Sequence, residues 1–88
     1  MMLLKYFTSQ HCGPCRRFGP VVDLFKLDHP TVTITKIDTA DPRNRDECAK
    51  EGVTAIPTVA VYKNGVKVSQ FSGAKDIDFM KALIETWI

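Results

Sequence analysis

The chain has 88 residues, of which 25% are charged and 44% hydrophobic, the proportions of one soluble domain with a single core and little margin of stability. Its formal net charge of +2 is too small and too scattered to suggest nucleic acid as the main partner. No apolar run approaches a membrane span, Met1 to Lys5 is too short for a signal peptide, and three cysteines are too few for the disulfide framework of a secreted miniprotein. The expectation is a single cytoplasmic domain over residues 1–88, monomeric and without a membrane partner.

In chain order, Leu3 to Ser9 is an apolar and aromatic run that reads as a strand. From Cys15 onward, Phe18, Val21, Val22 and Phe25 recur at helical spacing, with Pro20 inside the helix and expected to kink it. Asp28-His29-Pro30 closes that segment. Thr31 to Ile37 is β-branched at most positions and reads as a strand buried on both faces. Asp41-Pro42 starts a turn, and Arg43 to Glu51 reads as a short helix stopped by Gly52, with Cys48 and Ala49 on its inward face. Thr58–Tyr62 and Val66–Phe71 flank Lys63-Asn64-Gly65, a strong hairpin signal. Asp76 is placed to cap a last helix whose inward face uses Ile77, Met80, Ile84 and Trp87, with Phe79 and Leu83 beside it. The order β-α-β-α-β-β-α then combines a right-handed parallel unit with an antiparallel pair. It predicts an α/β fold with a four-stranded mixed sheet flanked by three helices.

Cys12-Gly13-Pro14-Cys15 carries the chemistry. Two cysteines separated by two residues are able to close a small disulfide. At a helix start the first lies exposed before unpaired N–H groups and the positive end of the macrodipole, which favour a thiolate. The second is shielded in the first turn. Pro14 fits a helix start because the N–H it lacks would be unpaired there anyway. The competing reading is a structural pair or half of a metal site. Zinc needs four ligands, and only His11, His29 and Cys48 remain, His11 being poorly placed beside Cys12. A redox dithiol is favoured and no metal is expected. Cys48 reads as a buried free thiol, and His29 as a loop residue without a role.

His11-Cys12-Gly13-Pro14-Cys15 resembles the Trp-Cys-Gly-Pro-Cys active site of thioredoxins. Ile56-Pro57-Thr58 resembles that family's cis-proline segment, and Lys63-Asn64-Gly65 with Gly73 resembles its terminal hairpin and the glycine beyond. The resemblance runs through nearly the whole chain and implies a thioredoxin-like fold lacking the N-terminal strand and helix of full-length thioredoxins. It implies a protein-disulfide reductase cycling between a Cys12–Cys15 dithiol and disulfide. In that cycle Cys12 is the nucleophile and Cys15 resolves the mixed disulfide. His11, Gly13, Pro14, Ile56, Pro57 and Gly73 would form the docking surface for disulfide-containing target proteins. A cis Pro57 would bring the Ile56 backbone against the sulfurs, and a side chain at Gly73 would block close approach. Electrons would come from a thioredoxin reductase or similar donor, with no bound cofactor, since no GxGxxG for a nicotinamide is present.

Three departures accompany this resemblance. His11 stands where thioredoxins usually carry Trp. Tyr6 stands at the position of a buried Asp thought to move a proton from the second cysteine, and Ile34 at that of a matching Lys. Tyrosine is a poor general base near neutral pH. Arg16 and Arg17, where the family often has Lys, would favour a thiolate weakly, as exposed charges are screened. Two rival readings stay open: a glutathione-fed, glutaredoxin-like reductase, which the size suits and the motif does not, and a non-catalytic binding subunit of a larger enzyme.

Overall fold

A computed structural model describes all 88 residues. Strand β1 (Met2–Thr8) leads into helix α1 (Gly13–Asp28), followed by β2 (Thr33–Asp38). A 3₁₀ turn (Pro42–Asn44) runs into the short helix α2 (Arg45–Lys50), and β3 (Thr58–Lys63), β4 (Val66–Ser72) and α3 (Ile77–Trp87) complete the chain. The sheet order is β2-β1-β3-β4. β1 and β2 are parallel, while β1 with β3 and β3 with β4 are antiparallel.

Alternation along β1 divides the core between the two faces of the sheet. Leu4 and Tyr6 join Val59 and Val61 of β3 under Phe18, Val22 and Phe25 of α1 and Met80 and Ile84 of α3. Phe7, Ala60 and Ile37 form a smaller cluster on the other face, where Cys48 and Val53 pack. Phe18 sits edge-on to Tyr6 at 5.7 Å and to Phe71 at 6.2 Å, so α1 is keyed to the sheet by aromatic contacts as well as by burial. Its helix continues through the exposed Pro20 and ends where the His29 ring stacks on Phe25 at 4.4 Å. His29, expected to be idle, thus finishes the helix.

The hairpin forms as the sequence predicts. Asn64 and Gly65 take φ of +51° and +84°, the left-handed pair of a type I′ turn. The Asp76 side chain accepts the Phe79 N–H at 2.8 Å and caps α3.

Two expectations are corrected. β2 is not buried on both faces: it is an edge strand of the sheet, and of its six residues only Ile37 is buried. Its β-branched run reflects strand propensity rather than double burial. Cys48 packs against the smaller cluster but is only half-buried, and Ala49, about 100° further round the helix, faces solvent. α1 begins at Gly13, so Pro14 lies in its first turn, where the N–H it lacks would be unpaired, as the sequence predicts.

Candidate active site

Cys12 is the N-cap of α1, with extended backbone (φ −108°, ψ 116°), and its Sγ accepts the Cys15 N–H at 3.2 Å. A sulfur in the place of the usual capping oxygen is thereby held against the helix N-terminus, where a negative charge is favoured. Cys12 and Cys15 are joined as a disulfide with Cα atoms 5.1 Å apart. Their exposure differs: Cys12 is half-buried, whereas Cys15 is 3% exposed. A partner arriving from solvent therefore meets Cys12 first.

The Ile56–Pro57 peptide is cis, Pro57 is buried, and the Ile56 carbonyl oxygen lies 3.7 Å from Cys12 Sγ. In the disulfide that sulfur has no proton to donate; the thiol would donate one to this carbonyl. The segment is fixed from the far side by Thr58, whose hydroxyl donates to the Ala55 carbonyl at 2.6 Å and pairs with Ser72 Oγ at 2.8 Å. Gly73, at φ +94°, donates its N–H to the Pro57 carbonyl at 2.8 Å. Nothing in the chain lies within 4 Å of a Cβ built on Gly73. Its glycine requirement is thus backbone conformation, and any steric reason must come from a bound partner. Ile56, Pro57 and Gly73 are brought together beside the disulfide.

His11, Gly13 and Pro14 are exposed around the sulfurs. The His11 N–H donates to Ser9 Oγ at 3.4 Å. Arg16 turns back along the loop, with Nε and Nη2 donating to the Gln10 carbonyl, while Arg17 is solvated. Neither arginine is paired with the cysteines.

Two recesses flank the site, and neither is legible from sequence. One, of about 430 Å³, lies between the 3₁₀ turn, α2 and the loop before Pro57, and is lined by Ala40, Pro42, Cys48, Val53 and Ile56 among others. The other, of about 300 Å³, opens beside Cys15 between β1, α1 and β2, and includes Tyr6, Thr8, Lys36 and Asp38. Lys36 is the register partner of Tyr6 and Asp38 that of Thr8. The lysine facing the Tyr6 row is thus Lys36, two residues beyond the Ile34 position. The pattern signal was available, since 36 and 38 share a parity, but their partners depend on a parallel register that sequence does not specify.

The 52–57 loop is tied at its near end by an ionic cluster. Glu51, whose side chain is 4% exposed, accepts a 2.6 Å bond from the Tyr62 hydroxyl, with Lys5 at 3.8 Å and Lys67 at 3.9 Å. Lys5 also pairs with Glu47 on α2. That hydrogen bond raises the Lys5 pKa and lowers that of Glu47. Burial, then the Glu51 carboxylate, raises that of Tyr62. No group of three or more His, Cys, Asp or Glu side chains is arranged to hold a metal ion.

The family model described as Thioredoxin matches residues 1–86. The chain is 37% identical to a thioredoxin of Chlamydia muridarum over 84 residues, covering 94% of this chain and 79% of that protein. It is 36% identical to mitochondrial thioredoxin O1 of Arabidopsis thaliana over 91% of its own length but only 41% of that protein's. Among solved structures, oxidised thioredoxin O2 of the same plant superimposes with a TM-score of 0.86 at 32% identity, covering 99% of this chain and 75% of that one. Fasciola hepatica thioredoxin does so with a TM-score of 0.84 at 33% identity, over 96% and 79%.

Proposed function

The chain belongs to the thioredoxin family and is a thiol–disulfide oxidoreductase of thioredoxin type, and from that premise we propose the cycle its own residues carry out. Cys12 thiolate, favoured by the helix N-terminus and the Cys15 N–H, attacks one sulfur of a target disulfide. The target's other sulfur leaves as a thiolate, which takes a proton from solvent. Cys15 then attacks Cys12, forming the Cys12–Cys15 bond and releasing the second target thiol, so two electrons pass to the target.

The observation that carries this reading is the asymmetry of the pair: one sulfur reachable and capped by N–H, the other shielded behind it. Substrate docks by main-chain pairing along Ile56 beside Pro57, with Gly73, Gly13, Pro14 and His11 forming the rim. The recess lined by Cys48, Val53 and Ile56 receives an apolar side chain of the target. Residues 1–88 work as one monomeric domain, in the cytoplasm, where reductants keep such a dithiol reduced. No helix is long and apolar enough to cross a membrane. The electron donor is a thioredoxin reductase, and neither a membrane nor nucleic acid takes part.

The test is NADPH consumption in a mixture of thioredoxin reductase, this protein and a disulfide protein. Turnover should vanish in Cys12→Ser. Unchanged turnover in that variant would overturn the cycle, and turnover with glutathione alone would reassign the donor.

A further inference from the structure

Resolution of the mixed disulfide requires Cys15 as a thiolate, yet Cys15 is 3% exposed and its proton must go somewhere. The recess beside it is the route the structure offers. Of the side chains lining it, Tyr6 is contributed by β1, Arg16 by α1, and Lys36 and Asp38 by β2. Lysine and arginine side chains carry donors and no acceptor, and a tyrosine hydroxyl accepts weakly. Asp38 is the one carboxylate. Its Oδ1 accepts the Ala40 N–H at 2.9 Å, which fixes the side chain and leaves Oδ2 available. The Asn44 side chain donates to the Asp38 carbonyl at 2.8 Å, and the Thr39 N–H donates to the Thr8 carbonyl at 2.9 Å. The end of β2 is therefore held to the end of β1 at the level of Cys15. A volume of about 300 Å³ leaves room for water between the carboxylate and the thiol.

We propose that Asp38 accepts the proton of Cys15, through water in this recess, as Cys15 attacks the mixed disulfide. The Cys15 S–H bond breaks, its proton passes to the Asp38 carboxylate, and the thiolate forms the Cys12–Cys15 bond. The target sulfur departs with the electron pair of the broken S–S bond. That departing thiolate, or solvent, then takes the proton, and Asp38 is ionised for the next turn. Lys36 and Arg16 line the same recess, and their positive charge favours both anions. This inference rests on the cycle proposed above.

Reduced protein in a Cys48→Ala background, which removes the third thiol, is mixed in stopped flow with dithiobis(nitrobenzoate). Attack by Cys12 releases the first coloured thiolate, and resolution by Cys15 releases the second. Asp38→Asn preserves an oxygen for the Ala40 N–H. It should leave the first release unchanged and slow the second about 100-fold at neutral pH, with a rate that now climbs steadily with hydroxide. Asp38→Glu should return the second release to within about tenfold of the parent. Tyr6→Phe should change neither step.

A second release unaltered in rate and pH profile by Asp38→Asn would overturn the assignment, as would equal slowing of both steps or an effect confined to Tyr6→Phe. Absence of any Cys12-dependent first release would instead sink the underlying cycle, so the two failures are distinguishable.

Discussion

Gly73 shows how one residue serves geometry without touching its neighbours. Its φ of +94° is costly for a side chain, while the space around its Cβ position is open. Gly73→Ala should therefore lower stability by about 1–2 kcal/mol through backbone strain alone, read as a shift in the urea midpoint. If the Ile56–Gly73 rim docks targets, the same variant should raise KM for a disulfide protein more than it lowers kcat; a variant that loses stability but keeps KM would confine Gly73 to a structural role. At Cys12 the relevant residue-scale fact is different. A cysteine sulfur occupies an N-cap and receives an N–H, so local helix geometry and reactivity are one feature.

Among the elements, α2 is the least self-sufficient. Its six residues are too short to be helical alone, and it bears no fully buried side chain. The ionic cluster below it holds it, and with it the loop leading to Ile56. Tyr62→Phe removes the hydroxyl bonded to the buried Glu51 carboxylate and should cost about 1.5–3 kcal/mol. Hydrogen exchange should show the loss first at the Gly52 and Val53 amides, which bond back to Ala49 and Cys48.

The cluster also predicts a pH dependence. The Glu47 pKa is depressed in the folded state by its hydrogen bond to Lys5, so its contribution is present above the unfolded value of about 4.3 and is lost as pH falls through the folded value. Lys5 is raised by the same bond, and Tyr62 by burial. Their contributions are present below unfolded values of about 10 and are lost as pH rises through the folded ones. Lys5→Met should flatten the acid limb of the stability curve; urea midpoints across the acid range that keep the parent's slope would refute this linkage.

At the scale of the whole molecule, 88 residues bury one principal core, and single large changes in it should unfold the protein. Phe18, fully buried and edge-on to Tyr6 and Phe71, should cost about 3–5 kcal/mol as Phe18→Ala, a large share of what a domain of this size has to lose. Redox state acts on the same global equilibrium. Closing the four-residue Cys12–Cys15 loop should stabilise the oxidised form by about 2 kcal/mol in the chain-entropy picture. Equal denaturant midpoints for oxidised and reduced protein would mean that reduced-state gains at the helix N-terminus offset the loop term.

Where a signal is local, the chain carried it in full. Hydrophobic period, the Asn64-Gly65 turn, the Asp76 cap and the Cys12–Cys15 spacing depend on residues within one or two turns of each other, so element types, their order and the redox pair were all legible. The edge position of β2 was not, because β-branched residues suit an edge or a central strand alike and only neighbours across the sheet distinguish them. Nor was the company of Cys15. Asp38 reaches its recess through a parallel register 30 residues from Thr8 in sequence, and Tyr62 meets Glu51 across the loop that carries Ile56. Such pairings arise from how strands align once the core has closed, and tertiary packing alone decides them.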